Sequence, residues 1–183
     1  MKTRIILAIV LMTTFFVGCK NDKSVDSLEV VTPETIVDKT FKVTLNVILK
    51  QDDTFSLFYT EDGTTDFSKI APIWKAVKGS DAEQSVVYNL PEEVFPTQLR
   101  LDFGLAKVQD DITLKSVILE YKGKKREIVG PELASFFQAD LNKCTFDAST
   151  GIIKAVVKDG VRQFPSLYPQ EKMLKPEIEK LAQ

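Results

Sequence analysis

Paired carboxylates are the reactive groups this sequence offers. Asp52-Asp53, Asp62 with Asp66, and Asp110-Asp111 place oxygen ligands close together, and Glu92-Glu93 adds another acidic step. Two carboxyls held roughly 5 to 9.5 Å apart can cleave a glycosidic bond, one acting as acid and the other as base or nucleophile. Asp62, Asp66, Glu92 and Glu93 are the residues that would carry such chemistry. The three aspartate pairs also invite a structural Ca²⁺, but none has the spacing of an EF-hand loop. Acidic turns explain them without a ligand. No cofactor and no metal centre is therefore expected, and no residue is assigned a catalytic role.

Histidine is absent from the chain. That removes the commonest general base and the commonest transition-metal ligand together. Ser-His-Asp and Cys-His nucleophile arrangements are excluded, as is every histidine-based zinc site. Two cysteines, Cys19 and Cys144, cannot form a four-thiolate zinc site.

Four side-chain types remain as ligand contacts. Trp74 is the sole tryptophan. An indole face can cover the apolar C–H patch of a pyranose, yet Ile70, Ile73 and Val77 around it favour a core anchor. Leu99, Leu101 and Phe103 alternate with Arg100 and Asp102. In a strand this sends the apolar residues to the core and both charges to the other face. There the charges either pair with each other, the favoured reading, or grip sugar hydroxyls. Tyr59 belongs with Tyr88, Tyr121 and Tyr168 as half-buried aromatic candidates.

The elements that must position these residues are strands. Phe41, Val43, Leu45, Val47 and Leu49 alternate with Lys42, Thr44, Asn46 and Lys50, the period of a half-buried strand. Phe55, Leu57 and Tyr59 continue the alternation after Gln51-Asp52-Asp53, which reads as a hairpin turn. Further strands are expected at 85–90, 97–103, 112–121, 126–129, 144–146 and 152–157. Ile70, Ile73, Trp74 and Val77 fall at helical spacing, but Pro72 limits them to a short helix or a wide loop. Pro131 to Gln138 reads as one or two helical turns. Gln170 to Ala182 reads as a helix with an apolar stripe of Met173, Leu174, Ile178 and Leu181, weakened by Pro176. The sum is a mostly β chain: an antiparallel β-sandwich, jelly-roll-like, with a short C-terminal helix.

Composition agrees with a domain that buries a core. Hydrophobic residues make up 44% and charged residues 27%, with a net charge of −2. Without a basic excess, no nucleic-acid partner is expected. Cys144, beside Phe146, reads as a small core residue.

The N-terminus is organised differently. Lys2 and Arg4 precede an apolar run, Ile5 to Val17, interrupted by Thr13 and Thr14. As a helix this run covers about 20 Å, short of a hydrocarbon core of about 30 Å. It reads as an export signal rather than a membrane span. Phe16-Val17-Gly18-Cys19 resembles the lipobox of bacterial lipoproteins, with Phe16 in place of the usual leucine. The resemblance implies cleavage after residue 18 and lipid attachment at Cys19. Lys20, where an aspartate commonly signals inner-membrane retention, implies the outer membrane. Lys20-Asn21-Asp22-Lys23 loosely resembles surface-export signals of polysaccharide-foraging bacteria. The expected plan is a signal peptide at 1–18, a flexible tether at 19–39, a β-sandwich at 40–169 and a helical tail at 170–183. The membrane would then be reached through the N-terminal lipid.

A longer pattern concerns the body. DTFSLFYTEDGTTDFS, SVVYNLPEEVFPTQLRLDFG and ITLKSVILEYKG together resemble a β-sandwich module of bacterial cell-envelope and polysaccharide-related proteins. The likeness covers about residues 50 to 124 and is nearest to the jelly-roll fold of carbohydrate-binding modules. It implies sugar binding on a sheet face or rim through aromatic stacking and polar side chains, with Trp74, Arg100, Asp102 and Tyr59 as candidate contacts. The expectation is a non-catalytic, lipid-anchored envelope protein that binds glycan. The alternative is a structural or assembly lipoprotein that binds another envelope protein. A carboxylate-based glycan-active enzyme ranks third.

Overall fold

The computed structural model describes residues 38–183. Strands dominate it: β1 (Lys42–Leu49), β2 (Asp53–Thr60), β3 (Ile73–Val77), β4 (Ser80–Asn89), β5 (Gln98–Asp102), β6 (Ile112–Tyr121) and β7 (Lys124–Val129) come first. A 3-10 turn at Gly130–Glu132 leads into α1 (Leu133–Phe136). Then follow β8 (Phe137–Ala139), β9 (Cys144–Asp147), β10 (Ile152–Ala155), β11 (Val157–Lys158), β12 (Val161–Arg162), β13 (Ser166–Pro169) and α2 (Glu171–Lys180).

The strands form two antiparallel sheets and one small hairpin, β11–β12. The first sheet runs β4-β1-β6-β10-β9, with β7 also paired to β6. The second runs β3-β2-β5-β13-β8. Compared position by position, the two orders read 4 over 3, 1 over 2, 6 over 5, 10 over 13 and 9 over 8. Most strands are thus followed in the chain by their counterpart in the opposite sheet. This nested, jelly-roll-like wrapping is the mostly β antiparallel sandwich that the alternating pattern predicts.

The wrapping corrects one local expectation. Gln51-Asp52 does not close a hairpin, because β1 and β2 belong to different sheets. Alternation specifies which face of a strand is buried, but it carries no information about the partner strand. The turn carries the chain across the core instead. Asp52 anchors it on the far side, accepting from Gly79 N at 2.8 Å and pairing with Lys78 at 2.5 Å.

Inward-facing apolar side chains from both sheets make one continuous core. Phe41, Val43, Leu45, Val47 and Leu49 of the first sheet meet Phe55, Leu57, Leu99, Leu101 and Leu167 of the second. Phe103 packs edge-on against Phe55 at 5.3 Å between ring centres. Cys144 is buried in the same core.

α2 closes one end of the sandwich. Its Leu174 and Ile178, with Leu181 just beyond, join the core, whereas Met173 is exposed. The helix runs unbroken through Pro176. Arg126 of β7 holds it from the side, pairing with Glu177 at 3.2 Å and with Glu132, while its guanidinium lies over Phe136.

Candidate functional site

The stretch around Pro72 is a strand, not a helix. β3 pairs with β2 in the register Ile73↔Leu57, Trp74↔Ser56, Lys75↔Phe55, Ala76↔Thr54. Residues opposed across an antiparallel pair share a face. Leu57 and Phe55 are core residues, so Trp74 and Ala76 lie on the outer face of the second sheet. Trp74 is accordingly 50% exposed, which overturns the favoured expectation of a core anchor. The helical spacing of its apolar neighbours was coincidental; edge-strand pairing sets its direction.

The register continues across the sheet. Ser56 opposes Asp102, and Asp102 opposes Ser166. Trp74, Ser56, Asp102 and Ser166 therefore form one row running across four strands. Three inter-strand steps make that row about 14 Å long. The next row holds Phe58 opposite Arg100, with Tyr168 beside them on β13. Gln98 and Thr60 form a third row.

Arg100 and Asp102 are brought together as a pair. Nε donates to Oδ1 at 2.9 Å and Nη2 to Oδ2 at 2.7 Å, a two-pronged arrangement of the kind guanidinium and carboxylate geometry favours. The guanidinium also stacks on Phe58, 3.8 Å from the ring centre, with Tyr168 at 5.2 Å and Phe67 at 5.6 Å. The favoured reading of a mutual pair on the non-core face is what the structure contains.

Tyr59 is not with them. It alternates to the core side of β2 and is only 6% exposed. Its neighbours in the pattern, Phe55 and Leu57, are core residues too, so it makes no surface contact. Burial pushes its phenol above the ordinary range, with the Glu61 charge adding to the effect. Cys19 lies outside the described residues.

The outer face is bounded at both ends of its strands. At one end the 61–68 segment folds over it: Phe67 packs on Phe58 and Tyr168 at 6.4 and 6.2 Å between ring centres. Thr60 Oγ1 donates to Thr64 O at 2.7 Å, and Gly63 N donates to Thr97 Oγ1 at 2.9 Å, pinning that segment. At the other end lies a cavity of about 480 Å³ lined by Asp52, Asp53, Thr54, Ala76, Lys78 and Leu105 among others. Thr54 and Ala76 form the row directly beside Ser56 and Trp74, so the cavity and the Trp74 row are continuous.

Asp53 builds the wall of that cavity. Its carboxylate is buried and accepts from Leu105 N at 2.7 Å, Ala106 N at 2.9 Å and Gln109 Nε2 at 2.9 Å. Arg162 holds the same loop from behind, donating to Ala106 O at 3.2 Å. Gly104 starts the loop at φ +79, where a Cβ would stand 2.3 Å from Asp53 Oδ2. The sheet presents a preorganised loop beside its exposed tryptophan.

No family model, curated protein or solved structure matches the chain. Its chemistry has to be read from the site alone.

The acidic groupings do not gather into one cluster, and one pair, Asp62 and Asp66, meets at the Lys69 ammonium. Asp52 is held by Lys78, and Asp53 by the 105–109 loop. Asp62 is held by Lys69 at 2.9 Å and by Thr64, Asp66 by Ser68, and Asp111 by Lys154 at 3.4 Å. The Lys69 ammonium holds the Asp62 carboxyl well below the usual carboxylate range, and the Ser68 hydroxyl lowers that of Asp66. A general acid requires the opposite shift. Among the described residues, no three Cys, Asp or Glu side chains gather in a way that could hold a metal ion.

Several members of the face escape sequence reasoning. Ser56, Phe58, Phe67 and Ser166 come from three separate segments, joined to the already named Tyr168 by strand register and by the packing of Phe67. Phe164 is another: it lies two residues before Ser166 and is 47% exposed. Alternation in DTFSLFYT does place Ser56 and Phe58 opposite the core side, which was the one available signal.

Proposed function

We propose that this chain is a non-catalytic, lipid-anchored protein of the bacterial cell envelope that binds glycan on the outer face of its second sheet. The observation that carries the reading is the row Trp74–Ser56–Asp102–Ser166, with its tryptophan exposed and a cavity alongside. A half-exposed indole on a rigid strand offers a flat apolar surface for a pyranose. Asp102 supplies carboxylate oxygens two strands away in the same row, fixed in place by Arg100, which stacks on Phe58. Aromatic platform, oriented polar groups and a bounded face are what sugar recognition uses. The lowered carboxyl pKa values of Asp62 and Asp66 weigh against glycosidase chemistry there.

Attachment through Cys19, and residence in the outer membrane, rest on the lipobox resemblance. Metabolic labelling with a palmitate analogue tests this: label is expected on the wild type and absent from Cys19→Ala. Persistent label on the variant would reject the lipid site.

For the ligand, the test is retention of the full chain on affinity gels made with a panel of polysaccharides. Retardation by at least one gel, reduced in Trp74→Ala, is expected. No retardation by any gel would sink the glycan reading. A second reading, docking to another envelope protein, is favoured by a separate feature. Val157 of the β11–β12 hairpin and Val108 beside it are both strongly exposed and line one hollow. Single exposed valines are ordinary, but adjacent ones mark contact surfaces.

A further inference from the structure

The charges bordering the outer face identify the class of glycan. Arg100, its strongest cation by position, is already committed to Asp102 through two hydrogen bonds. Lys78, at the cavity, is committed to Asp52 at 2.5 Å. Lys143 reaches Ser166 Oγ at 3.5 Å, but it is also paired with Asp140 at 3.7 Å. Asp53 accepts from backbone and amide donors and is matched by the charge of Arg162, which is itself committed to Ala106 O. Each of the four carboxylates around this face thus stands against a cation, and each cation is already committed. Lys75 neighbours Trp74 along β3, but register places it on the opposite side, across from Phe55.

We infer that the ligand of this face is an uncharged oligosaccharide, lying across the strands from Trp74 toward Asp102. The inference rests on the glycan reading and narrows it. A uronate, sulfated or phosphorylated sugar would have to break the Arg100–Asp102 fork to find a free cation. Separating a partly buried pair leaves each charge without its partner, a cost that a surface contact does not recover. Neutral hydroxyls need no such exchange. They donate to Asp102 lone pairs left unused by Arg100, since each carboxylate oxygen accepts more than one bond.

Direction follows from what is closed. Phe67 blocks the face at one end of the strands, and the Asp53-held loop stands at the other. A chain running along the strands would collide with Phe67 at one end and, past the cavity, with the loop at the other. One crossing them enters over the edge strand β3, passes Trp74 and reaches the Asp102 carboxylate, two inter-strand steps or about 10 Å along the row. Ser56 adds a further mark: its hydroxyl is buried under this row, with no hydrogen-bond partner among the described residues.

The test measures affinities of the full chain for two probe sets of equal length. One set is neutral: cellohexaose, mannohexaose and maltohexaose. The other is anionic: hexagalacturonate and a hyaluronan hexasaccharide. At least one neutral probe is expected to bind about tenfold more tightly than either anionic one, a difference of about 1.4 kcal/mol. Its affinity should change less than about twofold between roughly 50 and 500 mM salt, because no ion pair forms on binding. Trp74→Ala should weaken it at least about tenfold, and Trp74→Phe should retain part of it. An anionic probe that binds more tightly, or binding that falls steeply with salt, would overturn the inference while leaving glycan binding intact. Failure of every probe in both sets would overturn the glycan reading itself.

Discussion

Arg100 and Asp102 sit two residues apart on β5 and meet through two parallel hydrogen bonds, at 2.9 and 2.7 Å. The pair is fixed from outside as well, because Phe58 lies flat against the guanidinium at 3.8 Å. Both side chains are mostly shielded, so solvent does not replace a lost partner. Arg100→Ala is expected to destabilise the fold by about 1–3 kcal/mol, the range for a hydrogen bond to a charged group. Arg100→Lys keeps the charge but loses both the fork and the stacking plane, and should recover less than half of that loss. Urea denaturation of the three proteins measures it. A lysine variant as stable as the wild type would show that charge alone matters here.

Gly104 meets a harder constraint. Its φ is +79, and a Cβ would overlap the Asp53 carboxylate that organises the 105–109 loop. Gly104→Ala should therefore cost about 2–4 kcal/mol, combining left-handed strain with a displaced buried acceptor. Gly123, at φ +78 in the β6–β7 turn, has open space around it. Gly123→Ala should cost only about 1–2 kcal/mol, from backbone strain alone. Equal losses in a thermal or urea unfolding comparison would mean that Asp53 moves aside freely.

Tyr88 offers a stabilising change. It is fully buried on the core side of β4, and its hydroxyl has no partner among the described residues. Burial pushes that hydroxyl well above its ordinary range, with the Asp102 charge a smaller cause. Removing an unsatisfied polar atom from a core costs nothing in hydrogen bonding. Tyr88→Phe should leave stability unchanged or raise it by up to about 1 kcal/mol. A loss beyond about 1 kcal/mol would show that the hydroxyl makes a bond in solution.

These positions also show what could be read from the chain itself. Leu99, Leu101 and Phe103 against Arg100 and Asp102 announce a strand, its buried face and its charged pair, because alternation is a local property. β1 is legible for the same reason. Trp74 is not: its exposure depends on β3 pairing with β2, and local spacing around Pro72 imitates a helix. The crossing at Gln51-Asp52 is equally hidden, since a turn sequence does not say which sheet the next strand joins. Tyr59 alternates with Phe55 and Leu57 and was legible as core from that pattern. Phe67 packing on Phe58 and Tyr168 needs three distant segments to meet, and no short window contains that.

Acid should weaken the fold in a defined window. Lys78, Lys69, Ser149 and Lys180 hold the carboxyls of Asp52, Asp62, Asp147 and Glu177 below their ordinary values, and Lys42 holds Asp38 at about 2. Groups lowered in the folded state take up protons first in the unfolded chain, so stability falls as pH falls. The thermal midpoint should be flat from pH 7 to about 5 and decline from about pH 4 toward 2. Asp62→Asn should make that decline shallower. In the alkaline direction the raised ammonium groups of Lys42, Lys69 and Lys78 lose their contribution only above their ordinary 10.5. A midpoint that rises on acidification would contradict this assignment.

Trp74 is the chain's one tryptophan, so its fluorescence reports on the proposed site without any label. Titrating the full chain with the neutral hexasaccharides, while following tryptophan emission, is the most direct test of glycan binding at this face. A saturable blue shift or intensity change is predicted for at least one sugar, with the affinity weakened about tenfold in Asp102→Asn. Emission that stays constant while the same sugar is bound would place the ligand elsewhere on the molecule and contradict the account.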